Sequence, residues 1–570
     1  MPALVGIDLG TTYSLVATIV DGRPTVLPNV LGRSQTPSAV SIADDGSILV
    51  GEAALARALT HPDRTFRNFK RDMGTDRLFR YRNRQFRAEE LSALVLGQLR
   101  RDAEAALGTV VAEAVVTVPA YFGELQRRAT RDACEIAGLA VERLINEPTA
   151  AALSYGLQNL EREMKVVVLD LGGGTFDVSV LEIIEGVIEI QSSAGDARLG
   201  GEDFVEQLAA DIARRAKSEH GLDMLVDAAT RASLLATCER VKRELSAADE
   251  VTFELPTGSG YRSAPPELTV VRADIDALWR PTLQRLHAPI RRALRDARLG
   301  PGDIDEVVLV GGATRMPIVR ELAEQMFGRP PLTRVSADEA VAQGAAVQIA
   351  LKSGDQSLGD LVATDVAPFS LGVSVVDTHG RRRIDDVFSP ILERGTVLPA
   401  SRVERFVTAA DGQTNIRVQI YQGEHSLCRD NNKLGECELS GIPSAPAGEE
   451  AIDVRFTYDL NGILEVDMTI VSTRETKTLV VERSPGRMTE AEVERARVRL
   501  AALKFHPRDA LPNTTALSRA ESLFTELRGS DRERLGHAMR VFRLALEEQD
   551  PAAIEARRRE LLLLIDRFRK

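Results

Sequence analysis

Val168-Leu169-Asp170-Leu171-Gly172-Gly173-Gly174-Thr175-Phe176-Asp177 is an apolar run, a carboxylate, a three-glycine turn with a hydroxyl, and a second carboxylate. Near the start, Gly6-Ile7-Asp8-Leu9-Gly10-Thr11-Thr12 repeats the plan. Glycines let backbone amides approach phosphate oxygens and form an anion-cradling nest. Threonine hydroxyls add hydrogen bonds, and the aspartates suit a hydrated divalent cation such as magnesium. One such turn alone is usually just the end of a strand. Two copies, the second extended, read as similar half-domains clasping one nucleotide. A third segment, Val307-Val308-Leu309-Val310 into Gly311-Gly312-Ala313-Thr314-Arg315, could let an adenosine lie against the backbone. Taken by itself, a tight strand-to-helix turn is the better account of it. No GxxxxGK[ST] occurs, which excludes a P-loop NTPase.

Outward from these loops, apolar runs such as Ala114 to Val118, Lys165 to Asp170 and Glu306 to Val310 read as buried strands. Helical patterns, for example Glu89 to Leu107 and Phe204 to Lys217, alternate with them, which argues for an α/β region. The composition turns small and polar at Ser353-Gly354-Asp355-Gln356-Ser357, a linker signal. From 366 to 484, period-two segments such as Ile416 to Ile420 and Ile463 to Asp467, separated by glycine turns, predict an antiparallel all-β domain. Beyond Ser484-Pro485-Gly486 the chain reads as helical. Thr489-Glu490-Ala491-Glu492 is a capping box, and Val493, Ala496, Leu500 and Leu503 form one face. Pro507 breaks that helix, and Asp550-Pro551 starts another.

The 570 residues carry 72 Lys+Arg against 84 Asp+Glu, a formal net charge of −12. That balance argues against nucleic acid or an anionic membrane as the main partner. With 44% hydrophobic and 27% charged residues, the chain is not wholesale disordered. Four cysteines without CxxC spacing build no disulfide framework. The opening MPALVGIDLG lacks the features of a signal peptide, and the run Leu561 to Ile565 is far too short to span a membrane. A soluble, cytoplasmic, monomeric protein is expected. His425, Cys428 and Cys437 lack a fourth partner for zinc and read as ordinary strand residues.

The loops, together with the order α/β domain, linker, β domain, helical end, resemble the heat-shock seventy (DnaK) chaperone family over essentially the whole chain. The stretches that carry this are Gly6 to Ser14, Val116 to Phe122, Leu144 to Gly156, Asp170 to Val178, Gly195 to Phe204, Val310 to Pro317 and Asp338 to Gln348. The compact helical end looks most like the HscC-type branch. The resemblance implies an α/β actin/hexokinase-like ATPase domain (1–354), a linker (355–365), a β-sandwich peptide-binding domain (366–484) and a helical lid (485–570). It implies ATP/ADP, Mg2+ and K+ as cofactors. Gly10, Thr11, Thr12 and Tyr13 match the first phosphate loop, and Gly172, Gly173, Gly174 and Thr175 the second. Asp8, Asp170 and Asp177 match the carboxylates around the metal, reached largely through water. Lys70 matches the catalytic lysine and Glu147 the acid that positions water, with Thr175 and Asp170 beside them. Gly201, Glu202, Glu239, Lys242, Arg243, Ser246, Gly311, Gly312, Arg315 and Asp338 match the adenosine side. A helical salt bridge is an adequate alternative for Glu239, Lys242 and Arg243.

By the same resemblance, Val373, Val376, Phe406, Ala409, Ile416 and Val418 match the peptide pocket, although inward-facing strand positions would look the same. Pro119, Arg127, Arg143, Leu361, Val362 and Asp365 match the family's communication and J-domain-contact positions. In Asp360-Leu361-Val362-Ala363-Thr364-Asp365 two of the four usual aliphatics are small or polar, so weaker linker docking is expected. The partners implied are unfolded or specific client polypeptides and a J-domain co-chaperone. The short segment Asp76 to Arg87 leaves open the use of a nucleotide-exchange factor. The same ATPase fold also serves small-molecule kinases and actin-like filaments, neither of which needs residues 366–570.

Overall fold

The computed structural model describes residues 3–156, 162–184, 187–256, 265–332, 336–352, 362–379, 382–459, 464–480, 488–501, 503, 511–527, 529–548 and 551–568. The expected boundaries at 354/355 and 484/485, together with Leu361, Pro507 and Asp550, lie outside them.

The duplicated loops sit on duplicated sheets. Strand Ala3–Asp8 pairs antiparallel with Tyr13–Val20, which pairs with Arg23–Val26; Val111–Val118 and then Ala140–Asn146 add in parallel on the other side. In the second sheet Met164–Leu171 pairs antiparallel with Phe176–Ile184, which pairs with Val187–Asp196, and Glu306–Val310 adds in parallel. The parallel additions require long crossovers. Helix Ala88–Leu107 lies within the first, and helices Gly201–His220, Ala228–Glu244 and Arg272–Asp296 within the second. Strands covered on both faces need continuous apolar runs, as in Val166 to Leu169.

One apolar cluster joins the two sheets. It holds Val115 and Ile145 from the first, Val166, Val168 and Val310 from the second, and Ala150, Leu153, Ala345 and Val347 from helices Glu147–Gly156 and Ala340–Lys352. The two helices meet backbone to backbone, because a Cβ on Gly344 would overlap the carbonyl of Ala150. Only glycine permits that approach.

The β domain is two four-stranded antiparallel sheets. One runs Arg382–Leu392, Leu371–His379, Asn415–Gln422, Asn432–Ser440; the other runs Ala400–Val407, Ala451–Tyr458, Leu464–Ile470, Thr476–Val480. Their inward positions, among them Val373, Val418, Ile420, Val454, Phe456 and Val466, share one core. Period-two burial along Leu464–Ile470 is the signature of a sheet with one covered face. Cys437 lies on a strand as expected, but Cys428 begins a short 3-10 turn, Cys428–Asp430.

Strand Val362–Ala363 extends the second α/β sheet, pairing Val362 with Val187 and Ala363 with Ile188. The Thr364 amide donates to the Ile188 carbonyl at 3.1 Å, and the Ile190 amide donates to Thr364 Oγ1 at 3.3 Å. Among the described residues the linker's hydrogen bonds to this sheet come from backbone pairing and the Thr364 hydroxyl, neither of which needs a large aliphatic side chain.

Helix Glu490–Ala501 starts with the expected capping box: the Thr489 amide donates to Glu492 Oε2 at 2.7 Å and the Glu492 amide to Thr489 Oγ1 at 3.2 Å. Its face Val493, Ala496, Leu500 enters the core of the first α/β lobe. Leu511–Glu526, Gly529–Glu548 and Pro551–Phe568 form a three-helix unit around Leu523, Leu535, Phe542, Leu561 and Ile565. Leu511 rests on Ala53 and Ala54 of that lobe. The helical end therefore packs on the first α/β lobe, where its apolar stripe finds a matching surface. Among the described residues no helix is long and apolar enough to cross a membrane.

Candidate functional site

Asp8 ends the first strand, and Asp170 faces Asp177 as its register partner across the second hairpin. The two glycine loops meet tip to tip, since a Cβ on Gly173 would collide with Thr12 Oγ1 and one on Gly174 would lie 2.8 Å from Thr11 Oγ1. Gly201 and Glu202 brace the second loop, their amides donating to the carbonyls of Gly172 and Gly173, each at 2.9 Å. Gly311, with φ of 84°, passes so close that a Cβ would lie 2.7 Å from Asp170 Oδ1.

Lys70 lies in the 3-10 turn Phe69–Asp72, and its Nζ donates to Glu147 Oε1 at 2.6 Å; both residues are buried. The ammonium also sits 5.6 Å from the Phe122 ring centroid. This one lysine faces four carboxylates, of which Glu147, Asp170 and Asp177 are buried and Asp8 is half-buried. Burial pushes Asp8 up to about 7, with Glu147 adding to it and Lys70 and the Thr117 hydroxyl opposing it. Burial likewise pushes Asp177 up to about 8, Glu147 again adding and the Tyr121 amide opposing. Asp170 is raised well above its ordinary value by burial, Glu147, Asp177 and Asp8. An acid cluster that one lysine cannot neutralise calls for added positive charge.

A magnesium–nucleotide fits this arrangement. Among the described residues no three His, Cys, Asp or Glu converge as direct metal ligands, so these carboxylates would hold a cation through water, as magnesium permits. Thr12 Oγ1 and Arg71 Nε are buried without a hydrogen-bond partner among the described residues. Both are donors at the loop junction, where phosphate oxygens would accept from them.

The cleft is bridged from lobe to lobe. Arg71 pairs with Asp203 at 2.6 Å, Arg67 with Glu202 at 3.9 Å, and Arg243 Nη2 reaches the Tyr13 hydroxyl at 3.4 Å. Glu239 accepts from Lys242 and Arg243, each at 2.6 Å; burial pushes its carboxyl up and the two cations more than offset that. Lys242 Nζ also donates to the Gly201 carbonyl at 3.2 Å and Ser246 Oγ to the Lys242 carbonyl at 3.3 Å. Arg315 and Asp338 form an ion pair beside Gly312. The helical salt bridge and the cleft position are thus both present at residues 239 to 243.

A polar chain leads from this site to the β domain. Arg127 donates to the carbonyls of Phe122 (3.1 Å) and Ala120 (3.4 Å) and to Asn146 Oδ1. Asn146, next to Glu147, donates to both oxygens of Asp365 at 2.8 and 2.9 Å, and the Val366 amide donates to Asp365 at 2.8 Å. Burial raises the Asp365 carboxyl, opposed by Arg127, that amide, Arg143 and Asn146. Pro119 lies buried where the Phe122 amide donates to its carbonyl at 3.0 Å. Tyr121 joins in: its amide donates to Asp177 at 2.9 Å while its ring lies 4.4 Å from that of Phe369. The sequence does not single out Asn146, Thr117 and Tyr121 as site residues, although Thr117 and Tyr121 lie in the stretch Val116 to Phe122 and Asn146 in Leu144 to Gly156.

The six peptide-pocket positions separate. Val373 and Val418 are buried in the β core with Phe406 and Ile416 packed against it, whereas Val376 and Ala409 lie at the surface.

The family model described as "Hsp70 protein" matches residues 4–80 and 77–558. Proteins named "Chaperone protein DnaK" from Thermotoga petrophila and Thermotoga maritima are each 42% identical over 498 residues, 86% of this chain and 82% of theirs. With its twin phosphate loops, its acid cluster and a family match along almost all its length, the chain belongs to the Hsp70 family of ATP-hydrolysing chaperones.

Proposed function

We propose that residues 1–354 bind and hydrolyse ATP, that 355–365 link them to a client-binding β domain at 366–484, and that 485–570 act as a lid. The family's general activity is ATP-dependent binding of unfolded polypeptides, with ATP and ADP bound together with Mg2+. The observation that carries the assignment of residues is the Lys70–Glu147 pair set inside the acid cluster. Bound magnesium–ATP supplies the phosphoryl group to be transferred and charge to balance the aspartates. The chain's own part is positioning and electrostatics. Lys70 neutralises charge on the departing phosphate, Glu147 and Thr175 orient a water, and Asp8, Asp170 and Asp177 hold the hydrated cation. Glu239, Lys242, Arg243, Ser246, Arg315 and Asp338 border the adenosine, and K+ completes the cation set.

In the β domain, Val373, Phe406, Ile416 and Val418 form the floor of an apolar slot, and Val376 and Ala409 its rim. Burial of a leucine contributes about 1.5–3 kcal/mol, so strand-like backbone hydrogen bonds share the work and micromolar affinity, about −8 kcal/mol, is expected. A J-domain co-chaperone engages the Arg127, Arg143, Asp365 region. A monomeric, cytoplasmic, HscC-like chaperone is the reading that fits these features together. Lys70→Ala should abolish single-turnover hydrolysis while nucleotide affinity stays within about an order of magnitude, because uniform binding and transition-state interactions are separable. An unchanged single-turnover rate overturns the assignment.

A further inference from the structure

Asp76-Arg77-Leu78-Phe79-Arg80-Tyr81-Arg82-Asn83-Arg84-Gln85-Phe86-Arg87 places five arginines against a single aspartate in a chain of net charge −12. The segment is a two-stranded hairpin, Phe79–Tyr81 against Arg84–Phe86, with Arg82 at the turn in the left-handed region, φ 53°. Alternation along the strands divides its two faces. Phe79 points inward, its ring 6.0 Å from Phe66 and 6.5 Å from Phe69, and so anchors the hairpin to the segment that carries Lys70. Arg80, Arg82, Asn83 and Gln85 are exposed.

The arginines differ in what they hold. Arg77 pairs with Asp72 at 2.9 Å, Arg87 with Asp76 at 3.7 Å, and Arg84 donates to the Gly46 carbonyl at 2.9 Å. Among the described residues no carboxylate lies within ion-pair distance of Arg80 or Arg82, and Arg82 rests 5.1 Å over the Tyr81 ring. A guanidinium stacked on an aromatic face keeps its planar fork presented outward for a bidentate acceptor.

We infer that this hairpin is a docking surface for a short acidic polypeptide segment of a partner protein. Its carboxylates would take the forks of Arg80 and Arg82 in paired, charge-assisted hydrogen bonds. Size favours a peptide over nucleic acid. Each strand has three residues, about 10 Å of chain, so an acidic segment of similar reach is covered fully, whereas a longer polyanion overhangs onto a body of opposite preference. Among the described residues no carboxylate competes at the tip, which sets it apart from an ordinary solvated face of mixed charges.

Fluorescence anisotropy of a short labelled peptide of alternating glutamate and aspartate, titrated with the full chain, tests this. Saturable binding is expected that weakens as salt rises to about 0.3 M, where the Debye length falls to about 5–6 Å. The Arg80→Gln/Arg82→Gln double variant should bind at least about ten-fold more weakly with its ATPase rate unchanged, and Arg80→Lys/Arg82→Lys should fall between, retaining charge but losing the fork. Three results overturn the inference: no saturable binding, equal affinity in the glutamine variant, or tighter binding by an oligodeoxythymidine of the same charge than by the peptide.

Discussion

Asp8, Asp170, Asp177 and Glu147 cluster closely enough that each ionised carboxylate makes the next harder to ionise. The consequence for pH follows from which state holds the protons. Without a cation, the folded chain keeps Asp8 protonated to about 7 and Asp177 to about 8, whereas the unfolded chain releases those protons near 3.8. The stability that these protons contribute is fully present below the unfolded value and is lost as pH rises through 7 and 8. The cation-free protein should therefore melt at a lower temperature at pH 8 than at pH 6, and the stabilisation by magnesium–nucleotide should grow over the same interval. Calorimetric scans across that range check it, and Asp177→Asn should flatten the apo trend. A cation-free melting point that climbs contradicts this picture of the acid cluster. The sequence showed these aspartates because each stands in a contiguous pattern of strand, carboxylate and glycine. Asn146 escaped because its role comes from a partner 219 residues away, and no local spacing encodes that contact.

Secondary-structure elements were legible where burial imposes one period. Glu306–Val310 was read to the residue, since a fully covered strand needs an unbroken apolar run. The capping box at Thr489 was read for a similar reason, because it satisfies local donors. What the helix after it would cover was not legible: an apolar stripe says that a face is buried but not against what. The structure puts Leu500 in the first ATPase lobe. Leu500→Asp places a charge there and removes about 1.5–3 kcal/mol of apolar burial. Hydrogen exchange across 490–501 should then rise, measured by mass spectrometry, while the lobe's own strands stay protected. On the β side, Val418→Phe overfills a site that is 5% exposed, costing about 1–3 kcal/mol, and peptide affinity measured by fluorescence polarisation should drop. Unchanged binding removes Val418 from the slot.

For the whole molecule, the contacts that join the β domain and the helical end to the ATPase domain include linker strand Val362–Ala363 in the second sheet, helix Glu490–Ala501 in the first lobe, and Asn146 on Asp365. Arg394 adds an ion pair with Asp296 at 3.1 Å, and Gln422 Oε1 accepts from the Glu124 amide at 3.0 Å. The division into α/β region, β domain and helical end was readable from changes in hydrophobic period. How the parts sit together was not, because these contacts join residues far apart in the chain. The Asn146–Asp365 contact adjoins the proposed nucleotide site, since Asn146 is next to Glu147 and Glu147 holds Lys70. Coupling of this kind is typically 1–3 kcal/mol, or about 5- to 150-fold in affinity, and the loss of a charged acceptor from a buried network removes a comparable amount. The direct measurement is the rate at which a prebound labelled peptide leaves the full-length protein when magnesium–ATP is added, in the natural chain and in Asp365→Asn. The account predicts that ATP speeds release at least about ten-fold in the natural chain, and that Asp365→Asn binds ATP normally yet loses most of the acceleration. ATP-driven release at the natural rate in Asp365→Asn would contradict it.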